Sequence, residues 1–233
     1  MNTRSQVLCA WGGILCPLLM FAGLWPAAGF FPPHLPSATA EEIAAIYQAN
    51  ATGIRTGMIF IMLAGACYAS FTGAITAQMR RIETRATPVL TYTQLAAGTA
   101  SILLFLVPAL IWTAAAYRPE RDPQITQALN DLGWFFFVMP FVLGFTQNLA
   151  LGFTIISDKR PKPVYPRWVG FFNIWIALLF VPGILVTYFK SGPFAWNGIL
   201  AFWLPASVFG PWFFVVAIYT MKAARQQALD GGQ

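Results

Sequence analysis

Apolar residues in this chain gather into six long runs, and the charged residues fall between the runs rather than in their centres. The runs cover residues 7–31, 57–79, 89–117, 133–156, 168–189 and 198–221. A helix needs about 20 apolar residues to cross the hydrocarbon core of a bilayer. The pattern therefore predicts an all-α integral membrane protein, a six-transmembrane-helix bundle forming one polytopic domain over residues 1–233.

Shorter periodicities appear in the connections. After the Pro-rich stretch Phe31-Pro32-Pro33-His34-Leu35-Pro36, the residues Ser37 to Glu42 form a helix start with acids in the first turn. Ile43, Ile46 and Tyr47 then share one face, as in a short helix lying at an interface. Arg118-Pro119-Glu120-Arg121-Asp122-Pro123 is followed by Ile125, Ala128, Leu129 and Leu132 on one face, a second amphipathic segment feeding into a span. Lys190 to Gly198 is a shorter turn. The expected arrangement is three helical hairpins with short amphipathic outer helices.

Charge orients the bundle. Arg4, Arg80, Arg81, Arg85, Lys159, Arg160, Lys162, Arg167, Lys222 and Arg225 fall on one side with Glu83, Asp158 and Asp230. Arg55, Arg118, Arg121 and Lys190 fall on the other with Glu41, Glu42, Glu120, Asp122 and Asp131. Ten bases against three acids and four against five give +7 and −1, matching the net +6. Basic loops stay in the cytoplasm, so both termini are expected there and the protein in a cytoplasmic (inner) membrane. The first run resembles a secretory signal, with Arg4 ahead of it and small residues near Ala27, but it exceeds the 7–15 residues of a typical signal core. It is read as a span.

Composition agrees: 58% of residues are hydrophobic, 9% are charged and the mean hydropathy is +0.62, against about 25% charged in soluble domains. The pI of about 9.5 is accounted for by the orienting bases, which excludes a nucleic-acid partner. Each juxtamembrane base attracts anionic headgroups by about 1 kcal/mol. The expected partner is the lipid bilayer, with bound lipid and either other membrane subunits or further copies of the chain.

Chemistry is sparse. Asp, Glu, Lys, Arg and His are absent from all six span centres, which argues against a carboxylate-based ion pump. His34 is the single histidine, and Cys9, Cys16 and Cys67 have no ligand spacing, so no metal motif is present. No P-loop, dinucleotide fingerprint, nucleophile elbow or zinc-protease motif occurs, and the cofactor is unknown.

Uncharged polarity remains at depth: Tyr68, Thr72 and Thr76 at spacing four, Gln94, then Thr146, Gln147 and Asn148, and Asn173. Gln94, Asn148 and Asn173 lie toward the cytoplasmic half, where they are expected to meet. Such residues tie helices together or line a path for an uncharged molecule; Gln94, Gln147, Asn148 and Asn173 are the inner candidates for ligand binding. On the outer side Arg55, Trp112, Asp131, Trp196 and Asn197 form a second candidate constellation, with Arg55 and Asp131 placed to pair. No catalytic residue is assigned. Glycines at Gly53, Gly57, Gly65, Gly73, Gly144 and Gly152 suit close helix approach, and Pro17, Pro108, Pro140, Pro182, Pro205 and Pro211 interrupt five spans.

Two functions from different classes follow. The lack of reactive groups and the aromatic helix faces suit a non-catalytic accessory or interaction subunit of a larger membrane assembly. The amides, aromatic mouth and prolines suit a binding or permeation protein for a small uncharged hydrophobic molecule. A membrane enzyme with a bound cofactor is the third reading.

Overall fold

The computed structural model describes residues 3–230, and among them every regular element is helical. Six helices are long and apolar enough to cross a membrane: Thr3–Ala27, Ala51–Ile82, Val89–Tyr117, Pro123–Ser157, Arg167–Thr187 and Ile199–Asp230. The protein is a multi-pass helical bundle of the membrane type. Its terminal segments lie at one end, where Gln78 donates to both Gln6 and Gln227.

Five of the six spans are composite. The first is α1 (Thr3–Ala22) followed by a π-helical turn, Gly23–Ala27, containing Pro26. The second, α3 (Ala51–Ile82), runs unbroken. The third divides at Ser101 into α4 (Val89–Ala100) and α5 (Leu103–Tyr117). The fourth divides at Met139-Pro140 into α6 (Pro123–Val138) and α7 (Phe141–Ser157). In the fifth, α8 (Arg167–Phe180) tightens into 3₁₀ turns at Val181–Thr187, where Pro182 removes a backbone donor. A π-helical turn, Ile199–Trp203, leads into α9 (Leu204–Asp230). Pro17 and Pro211 are accommodated inside α1 and α9 without a break.

Of the two expected short outer helices, one forms separately. It is α2 (Ala40–Ala49), started by a reciprocal capping box in which Glu42 N donates to Thr39 Oγ1 and Thr39 N donates to Glu42 Oε2. The second amphipathic segment is instead the first turns of α6. Asp122 caps it through Gln124 N, and Pro123 begins it without losing a helical hydrogen bond.

The spans close into a ring in chain order. α1 lies between α3 and α9, α3 packs on α4 and α5, α4 on α7, α5 on α6, and α7 on α8, which reaches α9. The first two hairpins are packed pairs. The third is splayed, since α8 leans mainly on α7 and α9 mainly on α1.

Glycine permits close crossings at two facing pairs. A Cβ on Gly57 would stand 2.4 Å from the Gly23 carbonyl oxygen, and one on Gly23 would stand 2.6 Å from that of Gly57. Gly152 and Gly170 face each other similarly, at 2.9 and 3.0 Å from the opposite carbonyl oxygens. Gly73, from the same stripe as Gly65, meets nothing within 4 Å. We therefore expect Gly57→Val to destabilise the bundle by about 1–3 kcal/mol, as overpacking of a tight contact does, and Gly73→Ala to stabilise it by up to about 1 kcal/mol, as alanine does in an open helix interior. Reversible unfolding in bicelles measures both; equal stabilities for the two variants would refute the crossing.

Candidate functional site

The helix breaks surround one space. Leu24 of the first π turn, Ser101, Pro140, Gly183 and Phe202 all line a cavity of about 510 Å³. Each comes from a span whose regular winding is interrupted at or beside that residue. A straight α-helix presents a continuous ridge of side chains, and a break displaces that ridge. The interior between the spans is consequently not filled.

The wall is apolar and aromatic, with Phe105, Phe137, Phe141, Phe180 and Phe209 among its members and no charged residue. Leu18 and Phe21 on the first span, and Trp203 and Phe214 on the sixth, line the cavity and are also 52%, 47%, 38% and 37% exposed. The cavity therefore opens sideways, between the first and sixth spans. Toward the terminal end the gap closes where a Cβ on Gly13 would meet Ala217 Cβ at 2.8 Å. At the opposite end Phe31 closes it, with its ring 5.1 Å from Trp203 and 6.3 Å from Phe202.

Polarity enters mainly at the floor. Tyr68 and Ser101 line the cavity and are almost fully buried. The Tyr68 hydroxyl donates to Gln147 Oε1, and the Ser101 hydroxyl to Ala97 O at 2.9 Å. Behind the floor lies a polar seam between α3, α4 and α7. A Cβ on Gly98 would stand 2.9 Å from Thr72 Oγ1 and 2.7 Å from Gln147 Nε2, so those groups meet over the glycine. Thr76 Oγ1 contacts Thr72 O at 2.8 Å and Gln94 Oε1 at 2.7 Å, two acceptors for one proton. Thr72 Oγ1, Gln94 Nε2, Gln147 Nε2 and Asn148 Oδ1 are buried without a hydrogen-bond partner.

Of the predicted inner residues, Gln94 and Gln147 share this seam, while Asn148 and Asn173 bond elsewhere. Gln94 holds Thr76, Gln147 holds Tyr68, and Asn148 Nδ2 donates back to Gly144 O at 2.8 Å. Asn173 faces another seam, donating to Val169 O at 2.7 Å and accepting Trp212 Nε1 at 2.8 Å. The expected meeting of Gln94, Asn148 and Asn173 does not occur, because α4, α7 and α8 follow one another around the ring. None of the four lines the cavity; Gln147 reaches it through Tyr68.

The loop end holds a second constellation. His34, from the Pro-rich loop, is 7% exposed and stacks edge-on to Phe30 at 4.4 Å. Asn130 of α6 organises it: Asn130 Nδ2 donates to Asp131 Oδ1 at 3.2 Å, so Asn130 Oδ1 faces Tyr47 OH at 3.2 Å and His34 Nδ1 at 3.0 Å. An amide oxygen only accepts, so His34 carries its proton on Nδ1. Trp112 Nε1 donates to Asn130 O at 3.3 Å and Trp196 Nε1 to His34 O at 2.8 Å. Trp112, Asp131 and Trp196 therefore come together, around His34 and Asn130.

Arg55 and Asn197 do not join them through side-chain bonds. Arg55 bonds within its own helix, to Ala51 O and Thr52 Oγ1, both at 3.3 Å. The expected pairing with Asp131 is absent, and the ion pair among the described residues is Arg160–Asp158 at 2.7 Å. Asn197 accepts Trp203 Nε1 on its backbone oxygen at 3.2 Å and borders a smaller hollow with Lys190.

Residue types alone pointed at amides and overlooked the cavity wall. Single aromatics in an aromatic-rich chain carry no spacing signal, and Ser101 is one small hydroxyl, with Thr99, in an otherwise apolar run. The signal that was present is the set Pro26, Pro140, Pro182 and Pro205, which stand at breaks in four spans.

No protein family, curated protein or solved structure matches this chain. Functional reading rests on its own geometry.

Burial lowers the His34 pKa below its ordinary value of 6.5, against the raising effect of its bond to Asn130. The unfolded chain then takes up a proton that the folded one resists. Stability from this residue is complete above about pH 6.5 and is lost as pH falls below it. His34→Gln should flatten the profile between pH 7 and about 5.5, where no other side chain of ordinary pKa titrates; an unchanged slope in thermal unfolding scans would contradict the buried neutral imidazole.

Proposed function

We propose that the protein binds, or passes, a small uncharged hydrophobic molecule that it takes from within the bilayer. The observation that carries this reading is the apolar cavity of about 510 Å³ opening sideways between the first and sixth spans. Ligand pockets of about 300–1,000 Å³ with apolar and aromatic walls hold small organic molecules. An opening at hydrocarbon depth admits what is dissolved in lipid and rejects what is solvated by water. The lack of charge in the wall supports an uncharged ligand, since a buried unpaired charge is costly. With the basic end cytoplasmic, as the loop charges favour, the opening faces the outer leaflet.

The reading as an accessory subunit has one feature behind it. Trp168, Phe171, Trp175 and Leu178 form an outward stripe on the fifth span, 47–66% exposed, which suits lipid or another helix equally.

Gly210 lines the cavity with open space beyond its Cα. Gly210→Phe should fill the opening, raise the midpoint of thermal unfolding by a few degrees as cavity filling does, and abolish ligand retention. Native mass spectrometry of gently extracted protein reads the outcome. A small adduct of constant mass on the wild type, missing from the variant, supports the proposal. An adduct retained by Gly210→Phe would overturn it, and another polypeptide in fixed ratio would establish the subunit reading instead.

A further inference from the structure

The buried polarity of the cavity is gathered at one place. Tyr68 and Ser101 stand together at the floor, whereas Ser207 and the Trp203 indole lie at the exposed rim and donate to Leu204 O at 2.7 Å and Asn197 O at 3.2 Å. Everything from the floor to the opening at Leu18, Phe21 and Trp203 is hydrocarbon or aromatic ring. A wall of this kind is complementary to a molecule with one hydrogen-bonding end and an otherwise apolar body. The polar end belongs at Tyr68 and Ser101, because they are the polar side chains that the cavity buries, and a polar group among the rings between them and the rim is left without a partner.

The floor also decides the charge and type of that end. No ionisable acid or base lines the cavity, and the network behind Tyr68 consists of amides and hydroxyls: Gln147, Thr72, Thr76 and Gln94. A carboxylate, phosphate or ammonium would be buried there without a counter-charge. The network is also under-satisfied, with Gln147 Nε2 and Thr72 Oγ1 lacking partners beside Gly98. It can therefore rearrange locally. With the Tyr68 proton on Gln147 the floor accepts a hydrogen bond from a ligand hydroxyl. With the Gln147 amide turned so that nitrogen faces Tyr68, the phenol is free to donate to a ligand carbonyl.

Resting on the cavity reading above, we infer that the ligand is a single-ended neutral amphiphile, an apolar chain or ring system ending in a hydroxyl or carbonyl, seated with that end on Tyr68 and Ser101 and its apolar body toward the gap between the first and sixth spans. Fatty acids, phospholipids and quaternary amines are outside this class.

Four dodecyl probes carrying a mid-chain diazirine and ending in a hydroxyl, a methyl ketone, a methyl group or a carboxylate test the inference. Each is photolysed with the full-length protein in nanodiscs, and the labelled peptides are quantified by mass spectrometry. The hydroxyl and ketone probes should label cavity residues such as Phe105 and Phe141 about tenfold more than the methyl probe, the worth of one buried neutral hydrogen bond. The carboxylate probe should label them less than the methyl probe. Tyr68→Phe should reduce the hydroxyl-to-methyl ratio toward one while leaving methyl labelling unchanged, and Ser101→Ala should reduce it in part.

Equal labelling by hydroxyl and methyl probes in the wild type overturns the polar-end assignment and leaves the apolar cavity intact. Carboxylate labelling as strong as hydroxyl overturns neutrality. Absence of cavity labelling by all four probes would instead refute the cavity reading itself. The wild-type ratios decide the matter even where Tyr68→Phe does not fold.

Discussion

The hydrogen bond from Tyr68 to Gln147 ties the one unbroken span to the fourth and divides the interior in two. On one side of it lies the apolar cavity, and on the other the seam of uncharged polar side chains around Gly98. Hydrocarbon offers no alternative partner to either residue, so breaking the bond leaves two buried polar groups to be satisfied at once. The rest of the arrangement depends on this division. Were Tyr68 replaced by an aliphatic residue, the cavity would lose its polar end and the seam would lose the ring that shields it.

Polarity in this protein is distributed by depth. The loop end uses a histidine, an aspartate and the Trp112 indole gathered on Asn130, with a second indole, Trp196, donating to His34 O. The middle uses a phenol, hydroxyls and amides, and the charges are confined to the segments between and at the ends of the spans. That gradient follows the cost of desolvation, which is moderate for an amide and large for an ion. It also explains why the loop over the bundle can be held by a neutral imidazole. His34 is buried enough to resist gaining a second proton.

Much of the architecture was legible in the chain. Six runs of apolar residues became six spans, and the helix start read over Ser37 to Glu42 became the start of α2, where the structure adds a capping box between Thr39 and Glu42. Gly57 and Gly152 sat in the small-residue stripes and lie at helix crossings. What the chain did not show was rotation about each helix axis. Gln94, Asn148 and Asn173 were at comparable depth, but depth does not say which neighbour a side chain faces, and Asn173 turned to Trp212 on α9. The pairing of Arg55 with Asp131 failed similarly, since Arg55 curls onto its own helix while Asp131 is held by Asn130. The cavity was legible only as a scatter of prolines. A proline states that a hydrogen bond is missing and not on which side of the bundle the resulting gap opens.

The position of the opening follows from how one seam is packed at its two ends. α9 leans mainly on α1 and only lightly on α8. The seam is pinned near the terminal end by Gly13 against Ala217, where small residues allow close packing, and at the other end by aromatic rings packed from Phe31 to Trp203. Between the pins the two helices present Leu18, Phe21 and Phe214, side chains that pack as readily against lipid as against each other. The opening at this seam is thus bounded by close packing at both ends, and in the function proposed above it is the place where a molecule dissolved in the bilayer would reach the cavity without crossing water.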